Sequence, residues 1–233
     1  MHPFVRFGPS HWIAIALTLL APLALMALSR GRPDRNRRIR FTLAAVLALN
    51  WAGWMLFIAA KGWLDIGNEL PLNLCDWATL ATLIALVHLR QETYEIAYFW
   101  ALCGTTQALV TPDCRVDFPD PQFVAFFVYH SGIVAAVLWM TLGLKMRPRR
   151  ESLPRVAAWS LLYAAVAGAA DWLLGTDYGF LRSKPSNPTL LDYFAPWPWY
   201  LPELVLAGMA FMLVMYAPFG AMDVLRAARP KAA

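Results

Sequence analysis

Residues 11–60 read HWIAIALTLLAPLALMALSRGRPDRNRRIRFTLAAVLALNWAGWMLFIAA. Two apolar runs, His11 to Leu28 and Phe41 to Ala60, flank a connection that carries Arg30, Arg32, Arg35, Arg37, Arg38 and Arg40. Each run comes close to the about 20 residues that a helix needs to cross the hydrocarbon core of a bilayer. A helix on the surface of a soluble domain shows a polar face every turn, and these runs show none. The pattern recurs at Pro71 to Leu89, Tyr94 to Val110, Phe123 to Leu144, Val156 to Leu174 and Leu201 to Ala221. The fourth run is the shortest, and Cys103-Gly104-Thr105-Thr106-Gln107 dilutes its second half, as in a broken or buried helix. Composition agrees, with 59% hydrophobic and only 15% charged residues in 233, where an ordinary soluble domain has about a quarter charged. The expected fold is all-α: one domain, residues 1–233, of seven transmembrane helices, multi-pass in the cell membrane.

Lysine and arginine set the orientation, because short basic loops resist translocation. With seven alternating spans, the cluster at Arg30 to Arg40, Arg90, the run Lys145, Arg147, Arg149, Arg150 and Arg155, and the tail Arg226, Arg229 and Lys231 share one side. That leaves Arg6, Lys61, Arg115, Arg182 and Lys184 opposite. The N-terminus is therefore expected outside and the C-terminus inside. A cleaved signal peptide fits the first run poorly, since its arginines follow the apolar core and no small-residue cleavage site comes after it. The acidic residues Asp65, Asn68's neighbour Glu69, Asp113, Asp117, Asp120, Asp177 and Asp192 then fall in outward loops. The longest of these, Gly175 to Tyr200, holds Lys184-Pro185 and Pro196-Trp197-Pro198-Trp199-Tyr200. Prolines stiffen it and tryptophans favour the interface, so it is expected to fold back as a cap.

Several classes of function are excluded. The net charge of +5 sits in the short runs of membrane loops rather than on a basic face, so no nucleic-acid partner is expected. His2, His11, His88 and His130 form no paired ligand spacing, no CxxC occurs among the three cysteines, and phosphate-loop, dinucleotide and nucleophile-elbow motifs are absent. No metal or cofactor is expected.

A polar side chain inside a span is costly and therefore a candidate for function. The third span opens Leu70-Pro71-Leu72-Asn73-Leu74-Cys75-Asp76, placing Cys75 near the positive end of a helix dipole. A free cysteine often acts as a small hydrophobe, and that reading stands beside the nucleophilic one. His130, seven residues past Phe123, lies about 10 Å deep, and Cys75, four past Pro71, about 6 Å deep. Such a pair can perform acyl transfer through a thioester, with the histidine as base and then acid. Asp171, Glu203, His11, Gln107 and Asn50 bring further polar groups toward the same leaflet, enough to suggest a cavity rather than helix fastening alone. Asp76 points about 100° away from Cys75 and suits a helix cap. Cys103 and Cys114 read as structural.

Several strings together resemble the YwaF-like integral membrane proteins. They are Phe7-Gly8-Pro9-Ser10-His11, Leu70 to Asp76, Gly104-Thr105-Thr106-Gln107-Ala108-Leu109-Val110-Thr111-Pro112-Asp113, His130-Ser131-Gly132, Tyr178-Gly179-Phe180-Leu181 with Lys184-Pro185, and Asp192-Tyr193 through Tyr200. The eukaryotic relative of that group, transmembrane protein 164, is described as a cysteine-dependent acyltransferase of ether phospholipids. A more distant branch, the androgen-induced membrane hydrolases, uses a threonine and a histidine on fatty acid esters of hydroxy fatty acids. The resemblance implies Cys75 as nucleophile, His130 as base and membrane lipids as substrate. Asn73 or backbone amides opening the third helix are candidates for the oxyanion site. Asp171 and Glu203 are both candidates for orienting His130. A carrier or receptor binding a small cationic or lipid ligand through Asp171 and Glu203, and an assembly partner for other membrane proteins, are the alternatives from other classes.

Overall fold

The computed structural model describes residues 2–185 and 188–227; Arg229 and Lys231 of the basic tail lie outside the described residues. Most of the described residues are helical, and the only extended pairing among them is an isolated bridge between Pro3 and Val116. Among the described residues five helices are long and apolar enough to cross a membrane: α1 (Pro9–Ser29), α2 (Pro33–Ala60), α7 (Pro121–Leu142), α8 (Ser152–Leu174) and α9 (Tyr200–Ala227), the last over Tyr200–Leu225. Proline starts α1, α2 and α7 at the position where a missing N–H costs nothing. Between them lie a short α3 (Ile66–Glu69), α4 (Leu74–His88), α5 (Gln91–Phe99), a π-helical turn at Trp100–Thr105, and α6 (Thr106–Val110).

The third and fourth expected spans differ from the other five. Pro71 to Leu89 is helical only over the 15 residues of α4, about 22 Å at 1.5 Å per residue, short of a hydrocarbon core of about 30 Å. Tyr94 to Val110 forms part of a continuous run from Gln91 whose middle is π-helical, so the anticipated break is a widened turn at Trp100–Thr105. Both segments sit inside the bundle. Ala78, Ala85 and Leu86 of α4 and Tyr94 to Ala101 are buried, and α2, α7 and α8 pack around them. Protein neighbours satisfy irregular backbone that lipid would not. The arginine cluster is also placed differently: the connection between α1 and α2 is only Arg30 to Arg32, and Arg35, Arg37, Arg38 and Arg40 ride on the first turns of α2.

The outside of the bundle is apolar: Leu17, Leu20, Leu49, Leu56, Trp172, Leu173, Leu206 and Leu213 are exposed. Water would penalise such a surface and lipid does not. Polar segments instead collect at two ends. At one, Glu95, fully buried, accepts from Arg149 Nε at 2.8 Å, Arg155 Nη1 at 2.7 Å and Gln91 Nε2 at 2.9 Å, while Arg147 pairs with Asp223 at 2.5 Å. Arg40 donates there to Leu86 O and Val87 O. At the other end the stretch Gly175 to Tyr200 turns back over the bundle. Gly175, at φ +71°, ends α8 in the left-handed region, and Tyr178 buries its ring and donates its hydroxyl to Ile66 O. Lys184 Nζ donates to Phe194 O at 2.7 Å and Trp197 Nε1 to Leu181 O at 3.2 Å, closing the loop on itself.

Candidate active site

Under that loop lies a cavity of about 1220 Å³, walled by α2, α4, the π-helical turn, α7, α8 and α9. Phe180, Leu181, Phe194 and Trp197 form its roof, so the expected cap does cover it. Cys75, His130, Asn73, Gln107 and Asn50 all line the wall. His11, Asp171 and Glu203 do not. His11 is fully buried elsewhere, with Nδ1 accepting from Phe7 N at 2.9 Å and Nε2 bonded to Leu109 O at 2.7 Å. Asp171 Oδ1 accepts from Thr176 Oγ1 at 2.8 Å and Tyr178 N at 2.7 Å, tying the loop to the end of α8. Glu203 Oε2 accepts from Ala195 N at 2.8 Å. The two carboxyl groups brace the cap.

Local sequence explains how α4 presents its cysteine. Asn73 precedes the helix, and its N–H donates to Asp76 Oδ2 at 2.9 Å, one half of a capping box. Asp76 is thus the cap its direction suggested, and its other oxygen accepts from Tyr129 Oη at 2.8 Å. That bond joins α4 to α7. Because Cys75 and His130 are the chain neighbours of the bonded pair, it fixes them at a common level. The amide of Cys75, in the first turn, has no acceptor among the described residues, as the geometry of a helix start dictates, and that of Leu74 faces the hydroxyl oxygen of Tyr163 on α8. The π-helical turn brings Thr105, fully buried, within hydrogen-bonding reach of the Cys75 thiol. It can approach so closely because residue 104 is glycine: a Cβ there would stand 2.8 Å from Leu74 Cδ2.

His130 Nδ1 lies 2.8 Å from Phe126 O. A carbonyl only accepts, so Nδ1 carries the proton and Nε2 keeps its lone pair, the form a general base requires. The Phe126 carbonyl therefore orients the ring, in place of the carboxylates of Asp171 or Glu203 expected for that task. Phe126 and Tyr129 flank the imidazole at ring-centroid distances of 4.2 and 5.0 Å. No hydrogen bond joins the imidazole to Cys75; the two groups line the same cavity. Asn50 Nδ2 is used by Ala125 O at 3.1 Å, which fastens α2 to α7.

Reading residues alone missed three members of the wall. Tyr129 stands beside His130, and its hydroxyl's partner on another helix was the signal. Cys103 lines the cavity, and all three cysteines are free thiols, Cys114 donating to Val116 O. Tyr163 of α8 lines it too, with a ring packed edge-on against Trp77 at 5.5 Å. At the mouth stands Glu69, whose carboxyl is held above its usual range by burial and by the charges of Asp65 and Asp76.

The sequence profile of the TMEM164 family matches residues 6–216, which include every wall residue named above. The chain belongs to the TMEM164 family. An uncharacterized protein of Treponema pallidum (strain Nichols) is 28% identical to it over 221 residues, covering 93% of this chain and 90% of the other. No solved structure matches the chain. Membership of the TMEM164 family and the apolar helices together make this a multi-pass membrane protein.

Proposed function

We propose that this TMEM164-family protein is a cysteine-dependent acyltransferase or esterase of membrane lipid esters, with Cys75 as nucleophile and His130 as general base. One observation carries the reading: a thiol at a helix start with a free amide and an imidazole with an open Nε2 line one lipid-sized cavity. The resemblance to transmembrane protein 164, and more remotely to the YwaF-like proteins and the androgen-induced hydrolases, supports it. His130 Nε2 takes the thiol proton, and the thiolate adds to the ester carbonyl carbon. The tetrahedral intermediate collapses to a thioester as the leaving alcohol takes the proton back from His130. A lyso-lipid hydroxyl or water, deprotonated by Nε2, then adds to the thioester, and Cys75 recovers its proton as the acyl group departs. In this reading α4 and the run Gln91–Val110 complete seven crossings of the cell membrane, with the N-terminus and the cavity outside.

The test is a lipid ester with a labelled acyl chain presented to the protein in mixed micelles. A hydroxylamine-sensitive adduct at Cys75, lost in Cys75→Ala and retained in Cys114→Ser, is the expected result. His130→Ala should slow its formation about a hundredfold or more. Full function of Cys75→Ala in the native host, with an unchanged lipidome, would refute the enzymatic reading and leave a carrier.

A further inference from the structure

Tyr163 is 7% exposed, yet its hydroxyl has no hydrogen-bond partner in the protein. Buried tyrosines almost always spend that proton, so an unspent one calls for a reason. The ring is fixed by Trp77, and the hydroxyl sits directly beneath the cap: a Cβ on Gly179 would lie 2.4 Å from it, a position that the glycine, at φ +66°, leaves open. The Leu74 amide approaches the oxygen without closing a hydrogen bond, and Cys75, Asp76 and Asp171 lie within electrostatic reach, none of them bonded to it. The phenol therefore stands beside the start of α4, on the cavity wall, with its donor uncommitted.

We propose that Tyr163 is a further catalytic residue, whose hydroxyl donates a hydrogen bond to the carbonyl oxygen of the substrate's acyl group as that oxygen becomes an oxyanion. The inference rests on the acyl-transfer reading above. The first-turn amide of Cys75 supplies the other donor, so the oxyanion is held between a helix start and a phenol. No proton is transferred: the hydrogen bond strengthens when the thiolate adds to the carbonyl and relaxes when the alcohol leaves. Inside the protein nothing accepts this proton, and the substrate carbonyl, delivered to Cys75 beside it, does.

Tyr163→Phe keeps the ring and its contact with Trp77. In the full-length protein with the labelled lipid ester, acyl transfer to Cys75 should fall roughly 100- to 1000-fold, the usual effect of deleting one oxyanion donor. Alkylation of Cys75 by iodoacetamide, which develops no oxyanion, should keep its rate. The thermal midpoint should stay level or rise, because the lost group was unsatisfied. Replacement of Tyr163 by 3,5-difluorotyrosine, a sharper donor of nearly the same shape, gives a second reading independent of any folding defect and should leave transfer at or above the wild-type rate. Transfer within threefold of wild type in Tyr163→Phe, or an equal fall in alkylation, overturns the proposal while the Cys75 adduct on wild type stands. Absence of that adduct on wild type removes the enzymatic reading, and this proposal with it.

Discussion

The bond from Tyr129 Oη to Asp76 Oδ1 is the strut that sets Cys75 and His130 at one level, and its strength can be measured. Tyr129→Phe deletes a single 2.8 Å hydrogen bond to a carboxyl group, about 1–3 kcal/mol in a site withdrawn from bulk water. Asp76→Ala deletes the same bond and also the 2.9 Å contact from the Asn73 amide that caps α4, which adds about 1 kcal/mol. The single variants should therefore lose about 1–3 and about 2–4 kcal/mol, and the double variant scarcely more than Asp76→Ala. The interaction energy in that cycle should be about 1–3 kcal/mol. Unfolding by sodium dodecyl sulfate in mixed micelles, followed by circular dichroism, gives all four stabilities. Additive losses, within about 0.5 kcal/mol, would show that the strut contributes nothing and that the common level of Cys75 and His130 has another cause.

Two further outcomes can be checked. Ser183→Cys, in the cap, should react with a membrane-impermeant maleimide on intact cells, and Arg35→Cys should react only after permeabilisation; labelling of Arg35→Cys on intact cells would reverse or break the proposed topology. Glu69 binds its proton more tightly when folded than when unfolded, so the folded state loses stability as the pH rises from about 4.5 toward and through the raised value. Glu69→Gln should flatten that slope and raise the thermal midpoint at neutral pH, and an unchanged pH profile would mean the acidic mouth is well screened.

The five long helices were legible because each is a single apolar run that must find lipid or core, and proline marked three of their starts. The start of α4 was legible only in part. Asn73 followed three residues on by Asp76 spells a capping box, yet Pro71 drew the expected boundary three residues too early. The start of α5 was hidden for another reason. Glu92 looks like a loop residue, so the expected run opened at Tyr94 rather than Gln91, and Glu95 within it is held in the core by Arg149 and Arg155, more than 50 positions away, which neutralise it there. That Cys75 and His130 line one cavity was readable from polarity and depth. Tyr163 was not, since a tyrosine between Leu162 and Ala164 looks like packing until Gly179 is seen lying on its hydroxyl. The tasks of Asp171 and Glu203 were likewise set by loop amides that a linear reading does not place.

The knot around Glu95 has a mechanical meaning. It binds α5, the stretch before α8 and α8 itself at the end of the bundle farthest from the cap, with Arg147 and Asp223 adding α9. Helices pinned by clustered ion pairs at one end and by single hydrogen bonds at the other move most at the second. Under the proposed acyl-transfer function, the breathing that would admit a substrate is confined to the end beneath the cap, while the hub keeps its shape. Amide exchange should follow the same gradient, slow around Glu95 and fastest through Gly175 to Tyr200.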